Sequence, residues 1–393
     1  MRVCIAYDCL YPWTVGGAER WYRSLAERLA ADGHEVTYLT RLQWDPRDPP
    51  QIPGVRVIAV SRADELYGSD GNRRTGPPLR FGAGVLRHLL RRGGDYDVVH
   101  MCSFPYFSVL AAALARPRGH YRLVVDWFEI WSRDYWIGYL GGPGGRAGYL
   151  IQRLCVCVPQ RAQCFSRLHE SRLLEEGLRG EHTFIGGLYD GPCDLAEPRS
   201  AEPLVVFAGR HIPEKRAPAA VEAIALARAE GLDVRGLIFG DGPEREQVLA
   251  AIRRHGVEDF VSAPGFADRA DIDDAMGRAL CLLHPSAREG YGLVVIESAA
   301  RGTPVVVAAG PDNAAVELVD AGENGVVAES SEPAALAAAL HEVARGGDEL
   351  RKRTRTWFAR NAQRLSLESA LERVAESYGQ GDAIRPPARA APP

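Results

Sequence analysis

The sequence predicts an α/β chain of two parallel-sheet domains joined by a short linker, and three observations predict it. Its 393 residues suffice for two or three domains at ~150 residues each. Apolar strand-like runs alternate with amphipathic segments in a repeated strand–helix–strand order, the pattern of a parallel sheet covered by helices. That alternation stops at Asp190 to Pro203, a stretch with three prolines and no apolar periodicity, and then restarts.

The elements follow in order. Val3 to Tyr7 is an apolar run and reads as a strand. A loop with Gly16-Gly17 precedes a helix over Ala18 to Ala31, whose apolar Trp21, Leu25 and Leu29 recur at helical spacing. Gly33 suits a C-cap, and Glu35 to Thr40 reads as the next strand. The pattern continues with a strand over Gly54 to Val60, a helix near Phe81 to Arg92, a strand over Asp97 to His100, a helix near Ser108 to Ala115 and a strand over Leu123 to Val125. This first unit spans residues 1–192.

After the break, Leu204 to Ala208 is a strand, Ala217 to Ala229 a helix, Arg235 to Phe239 a strand and Glu244 to Arg254 a helix. Strands then begin at Val261, Ala279 and Pro304, which places the second domain at 203–364. The final helices, near Leu350 to Arg364 and Leu367 to Tyr378, need a surface to cover, and the first domain is the expected one for the segment 365–379. Residues 381–393 hold four prolines and are expected to be disordered.

Composition narrows the function classes. There are 47 basic and 51 acidic side chains, a formal charge of −4, with 46% hydrophobic residues. Divided at residue 200, the first part carries 25 basic and 22 acidic groups (+3) and the second 22 and 29 (−7). This balance argues against a general nucleic-acid binder, which needs a basic surplus. Lys215 and Lys352 are the two lysines; the other 45 cations are arginine. The eight cysteines form no Cys-x-x-Cys, and Cys4 and Cys281 sit in apolar runs, so a reduced, cytoplasmic protein is expected. The N-terminus lacks the apolar core of a signal peptide. The longest uncharged stretch, Val98 to Ala115, is interrupted by His100 and Pro105 and reads as strand plus helix rather than a membrane span. Peripheral contact with a membrane surface is left open.

Three segments carry chemistry. Gly16-Gly17 lies between a strand and a helix N-terminus, where backbone N–H groups can approach an anion, although a plain turn needs the same residues. Neither Gly16 to Arg20 nor Gly240 to Arg245 supplies G-x-G-x-x-G, which counts against an oxidoreductase. Arg210 and Lys215 follow the Leu204 strand directly and so belong at a sheet's carboxyl edge, where α/β proteins bind ligands. In a chain that uses arginine 45 times, a lysine here suits a phosphate oxygen, because its ammonium is a compact point charge.

The third segment runs from His284 to Pro304. Glu289 and Glu297 are separated by seven residues; the first lies in a Gly-flanked loop and the second about two turns into a helix. Gly290 and Gly292 let backbone N–H groups face phosphates, and Glu297 can accept from vicinal hydroxyls. The strings Asp95-Tyr-Asp97 and Asp271-Ile-Asp273 imitate a metal motif, but one begins a strand and the other suits a helix cap, so no metal site is expected.

Taken together, Gly16 to Arg20, Gly33 to Val36, Asp97 to His100, Arg210 to Lys215, Gly240 to Glu244 and Glu289 to Glu297 resemble, in order and spacing, the retaining GT-B glycosyltransferases of family 4. The resemblance covers nearly the whole chain. It implies two Rossmann-like domains facing each other across a cleft, with a nucleotide-sugar donor between them and no cofactor. Arg210 and Lys215 would neutralise the diphosphate, Glu289 would contact the donor sugar and Glu297 the ribose. Gly16, Gly17 and Gly240 would lie by the nucleotide, and Gly290, Tyr291, Gly292 and Leu293 would supply backbone donors. The acceptor, a small molecule or a lipid-linked one, would sit on the first domain. A nucleotide-sugar epimerase or hydrolase, or a non-catalytic binding protein on the same fold, are the competing readings.

One departure stands out. Many members of the family carry a histidine after the fifth strand of the first domain, whereas this chain reads Leu123-Val-Val-Asp-Trp-Phe-Glu-Ile-Trp131. Asp126, Phe128 and Glu129 are the candidates for that space. Asp126, directly after the strand, is the candidate polar group beside the acceptor, though an Asp there suits an N-cap equally well. Five aromatics fall between Trp127 and Trp136, which reads as a buried helix face or, more sharply, as an acceptor cleft. Tyr135 to Gly148, rich in glycine, reads as a mobile loop above it.

Overall fold

The computed structural model describes residues 1–64, 74–192 and 200–379. The expected tail at 381–393, Cys193 and the middle of the Asp190–Pro203 break lie outside the described residues. In the first domain the strands are β1 (Arg2–Ala6), β2 (Glu35–Arg41), β3 (Val55–Ser61), β4 (Val98–Cys102), β5 (Arg122–Trp127), β6 (Arg161–Cys164) and β7 (His182–Phe184). The helices are α1 (Gly17–Ala31), α2 (Gly76–Arg92), α3 (Tyr106–Gly119), α4 (Arg133–Val156) and α5 (Arg167–Glu175). The sheet order is β3-β2-β1-β4-β5-β6-β7, with parallel pairings throughout.

The second domain repeats the plan. Its strands are β8 (Leu204–Ala208), β9 (Arg235–Phe239), β10 (Val261–Gly265), β11 (Cys281–His284), β12 (Arg288–Glu289), β13 (Val305–Ala308), β14 (Asp312–Asn313) and β15 (Gly325–Ala328). Helices α6 (Ala217–Ala229), α7 (Arg245–His255), α8 (Arg269–Arg278), α9 (Leu293–Ala299), α10 (Pro333–Leu365) and α11 (Leu367–Gly379) accompany them. The six-stranded order is β10-β9-β8-β11-β13-β15, and β12 pairs separately with β14. Both sheets reverse direction of growth beside their first strand, which leaves a crevice at the carboxyl edge there.

Strands buried on both faces must be near-continuous apolar runs, and β1, β4, β5, β8, β11 and β13 are such runs, which is why the sequence pattern located them. The α2 helix begins at Gly76, earlier than the apolar pattern indicates, because Pro77 and Pro78 are tolerated in a first turn. The short β6, β7 and β15 and the helix α5 lack a strong period. The α10 helix is broken at Gly347 (φ 47, ψ −141), so its charged second half is the part that periodicity marks.

The segment Tyr135 to Gly148, expected to be a mobile loop, lies instead within α4. Ser132 caps that helix by accepting from Tyr135 N at 3.2 Å. Gly141 (φ 75, ψ 172) breaks it into two arms. A Cβ at Gly148 would fall 2.5 Å from the Trp136 ring, and one at Gly145 would fall 2.4 Å from the Trp136 carbonyl oxygen. These glycines therefore serve close packing of the two arms, not mobility.

The chain crosses between the domains twice. Tyr189 N donates to Leu365 O at 3.0 Å and Leu367 N donates to Tyr189 O at 2.7 Å, so the two crossings run side by side. The α11 helix then lies on the first domain: Tyr378 hydrogen-bonds His100 Nδ1, and Gln163 Nε2 donates to Ser377 Oγ at 3.1 Å. One continuous apolar core runs from Trp21 and Leu25 through Tyr378 and Phe358 to Val295 and Val305. Further contacts tie the domains. The Glu317 carboxylate accepts from Arg167 N and Leu168 N, both at 2.7 Å, capping α5 from the opposite domain. Among the described residues, no helix is long and apolar enough to cross a membrane.

Candidate active site

The crevice of the second domain is lined by the loop after β8 and the loop after β11. The first loop carries exposed Arg210 and then a single turn of 3-10 helix, Pro213–Lys215. The second carries His284, Arg288 and Glu289. The two loops meet: Lys215 Nζ forms an ion pair with Glu289, and His284 Nε2 lies 3.1 Å from the same carboxylate oxygen. Burial alone would raise the Glu289 carboxyl, but the Lys215 ammonium and His284 outweigh it and hold Glu289 well below the ordinary carboxylate range. Glu289 is thus ionised and paired with Lys215. Arg210 is exposed on the same loop, close enough to Glu214 for its charge to lower that carboxyl.

Glu297 sits in the second turn of α9 and pairs with Arg269 at 3.0 Å. Burial raises its carboxyl above the ordinary value, against the pull of Arg269, Arg301 and Arg20. Arg20, in the first turn of α1, is thus near enough to Glu297 for its charge to act on it. Gly16 precedes α1 in an extended conformation and Gly17 opens it, exposed, with nothing near its missing side chain.

The glycines have distinct reasons. A Cβ on Gly290 would come within 2.8 Å of both Glu129 Cγ and Phe128 O, so the first domain's β5–α4 loop packs directly on it. Gly292 has φ +98, in the left-handed region, and faces Ala315. Leu293 opens α9 directly after it. Gly240, expected beside the nucleotide, has φ +124, and a Cβ there would fall 1.8 Å from Gly209 O. Its glycine is explained by the approach of the two loops. The Tyr291 side chain turns away from the crevice and donates to Gly186 O at 2.7 Å, fastening the domains.

Asp126 is not a cleft residue. It lies in β5, fully buried, and accepts from Trp21 Nε1 at 2.8 Å and from His100 Nε2 at 2.7 Å. It does not cap a helix, because the side-chain alternation of β5 turns it toward α1. Phe128 stacks on Phe165 at 4.2 Å. Of the three candidates, Glu129 is the one whose carboxylate reaches the opposite domain, where it pairs with Arg288.

Sequence reasoning passed over Arg288, Glu214 and His169. Arg288 also meets Glu214 at 3.3 Å and lies over the rings of Trp131 and Tyr135. Tyr135 donates to Glu214 at 2.9 Å. The one available signal was adjacency, since Glu214 and Arg288 immediately precede Lys215 and Glu289. His169, buried, accepts from Ile130 N at 3.1 Å, and burial pushes its imidazole down to about 3. In the two aspartate strings, Asp97 pairs with Arg2 at 2.8 Å and Asp273 with Arg269 at 3.1 Å.

Two families match the chain, one over each domain. The family described as glycosyl transferases group 1 matches residues 196–362, and that described as glycosyl transferase 4-like domain matches residues 16–185. A D-inositol 3-phosphate glycosyltransferase of Streptomyces coelicolor is 34% identical over 92% of this chain and 86% of its own. A glycogen synthase of Mycobacterium tuberculosis is 27% identical over 97% of this chain and 94% of its own. Among solved structures, sucrose-phosphate synthase of Thermosynechococcus elongatus superposes with a TM-score of 0.76 at 19% identity, covering 96% of this chain and 98% of that one. The glycosyltransferase WaaG superposes with a TM-score of 0.71 at 18% identity, covering 96% and 100%. With two parallel-sheet domains closing on a shared crevice and both domain families matched in order, the chain belongs to the family 4-type glycosyltransferases of the GT-B fold.

Proposed function

We propose that this glycosyltransferase moves a hexosyl group, with retention at the anomeric carbon, from a nucleoside-diphosphate sugar to an acceptor hydroxyl held on the first domain. The observation that carries the reading is the Lys215–Glu289–His284 cluster at the second domain's crevice, with Glu297 further along α9. A diphosphate arriving at this crevice meets Arg210 and draws the Lys215 ammonium onto its oxygens. Glu289, released from part of its pairing, is then free to accept from a donor-sugar hydroxyl. Glu297 accepts from the ribose. Gly16 and Gly17 approach the phosphates from the first domain, and the backbone N–H groups of Gly290 to Leu293 add donors beside the sugar.

In the transfer, the acceptor oxygen bonds the anomeric carbon, and the bond from that carbon to the diphosphate oxygen breaks. The acceptor's hydroxyl proton passes to the departing diphosphate. Negative charge grows on the leaving group, and cations and N–H dipoles already in place stabilise it without reorganisation, which is where such sites gain most of their rate. Leaving-group charge is thereby assigned to Arg210 and Lys215, and the reading calls for no metal or organic cofactor.

A thermal-shift series with UDP, GDP and ADP tests the nucleotide site, followed by donor turnover with and without acceptors. HepE of Anabaena is solved with UDP-glucose, so UDP-sugars are the first donors to try. Stabilisation by one nucleotide and release of that nucleoside diphosphate from its sugar are expected. No stabilisation by any of the three refutes the donor assignment, and stabilisation without turnover over a wide acceptor panel favours a binding protein.

A further inference from the structure

We propose that Arg172 and Asp312 are positioning residues for Glu289, setting from the first domain the place of the ribbon that carries it. This rests on the reading of Glu289 as the carboxylate that meets the donor sugar, and adds the groups that aim it. The β12–β14 ribbon is two residues long on each strand and stands apart from the six-stranded sheet. So short a pairing has little stability of its own, and the side chains around it must fix its position.

In the parallel register Arg288 lies opposite Asp312 and Glu289 opposite Asn313. Alternation puts the first two on one face of the ribbon and the second two on the other. The second domain holds the Glu289 face. Lys215 and His284 meet the carboxylate, and Asn313 Nδ2 donates to Ser286 O at 2.9 Å and to Ala308 O at 2.8 Å. The first domain holds the other face with one ion pair of each polarity. Glu129 takes Arg288, and Arg172 takes Asp312 at 2.6 Å.

The Arg172 guanidinium does more than pair. It also donates to Ile130 O at 3.1 Å and to Pro311 O at 2.6 Å. One planar fork therefore ties α5 to the β5–α4 loop and to the residue before β14. His169, one turn earlier on α5, accepts from Ile130 N at 3.1 Å beside the Glu289 backbone. The Arg172 and Asp312 side chains are 17% and 19% exposed, so salt screens their pairing only in part. Glu317 anchors the start of the same helix from the second domain. A shift of α5 is thereby passed through Arg172 and Asp312 to the ribbon, and Glu289 moves with it.

The test uses the full chain, whichever of UDP, GDP and ADP stabilises it, and the glucose donor of that nucleotide. Calorimetric titration gives the affinity for the diphosphate, and its release from the donor, with water as acceptor, gives kcat and KM. Arg172→Gln and Asp312→Asn are expected to bind the diphosphate about as tightly as the parent chain. Their kcat is expected to fall roughly tenfold, the scale on which a misplaced group slows a reaction. Arg172→Lys keeps the charge and is expected to retain about half of the parental kcat. In a Glu289→Ala background, Arg172→Gln is expected to cost less than about a further twofold, because residues acting through one group are not additive. Variants that melt lower but keep the parental kcat overturn the proposal, since the pair then only joins the domains. So does a full tenfold loss on top of Glu289→Ala, or a loss of diphosphate affinity as large as the loss of kcat. Parental turnover in Glu289→Ala alone brings down the reading of Glu289 and the proposal with it, so the two failures are told apart.

Discussion

Replacing Lys215 by methionine keeps most of the length of the side chain and removes its charge, which isolates the Lys215–Glu289 pair. The two side chains retain 19% and 15% exposure. Breaking a buried pair by removing one partner costs ~3–5 kcal/mol. Here His284 stays at 3.1 Å from the carboxylate and the pair is not wholly dry, so ~2–3 kcal/mol is expected. At ~2–4 °C per kcal/mol for domains of this size, Lys215→Met should melt ~4–12 °C below the parent protein at neutral pH. The pH dependence has a definite sign. Glu289 is depressed in the folded state, so its stabilisation is present above the unfolded carboxyl value of ~4.3 and is lost as pH falls below that toward the folded value. In the variant burial acts without Lys215, so the deficit should be largest near neutrality and shrink in acid. Nucleoside-diphosphate affinity should fall roughly 10- to 100-fold, the equivalent of one charge-assisted hydrogen bond at ~1.5–3 kcal/mol. Calorimetric titration of Lys215→Met, Glu289→Gln and the double variant completes the cycle, with a coupling of ~0.5–3 kcal/mol expected for contacting groups. Unchanged melting and nucleotide affinity, or strict additivity in the double variant, would refute the reasoning.

Further outcomes concern other parts of the site. Asp126→Ala strands the buried Trp21 N–H and His100 N–H, so a loss of ~2–6 kcal/mol is expected from ~1–3 kcal/mol per orphaned group, with nucleotide affinity of the folded protein unaltered; a tenfold weaker nucleotide complex at full stability would return Asp126 to the cleft. Glu297→Ala should weaken nucleotide binding about tenfold, whereas Glu289→Ala should chiefly lower turnover, and equal, negligible effects in both would disprove that division of roles. His169 has its folded value lowered to about 3, so it stabilises fully above the unfolded value of ~6.5 and loses that contribution as pH falls toward the folded one. Between pH 6.5 and 5 this amounts to ~2 kcal/mol, and denaturant unfolding of His169→Gln should show a shallower acid slope over that interval.

Much of the architecture was legible because a parallel sheet imposes local rules. Strands covered on both faces are apolar throughout, and the helices between them repeat at 3.6 residues, so β1, α6 and β9 could be placed to within a residue or two. The Lys215 and Glu289 to Glu297 segments were legible for a related reason. A lysine in an arginine-rich chain and a glycine-flanked carboxylate stand out at a sheet's carboxyl edge, where ligands bind. The weak strands β6 and β7 were not, since three or four residues carry no usable period. Glycine content misled at Tyr135 to Gly148, because close packing between helical arms requires the same residue as a flexible loop.

Local pattern thus determined the two-domain α/β plan and the segments that meet at its crevice. Tertiary structure alone decided how those segments pair. Lys215 and Glu289 are 74 residues apart, and Glu129 and Arg288 are 159 apart. Whether a carboxylate pairs within its own domain, as Asp126 does with His100 and Trp21, or with the opposite domain, as Glu129 does with Arg288, depends on which distant side chain arrives beside it. Periodicity within one strand or helix carries no information about that arrival, because charge pairing and burial are set by the contacts between elements.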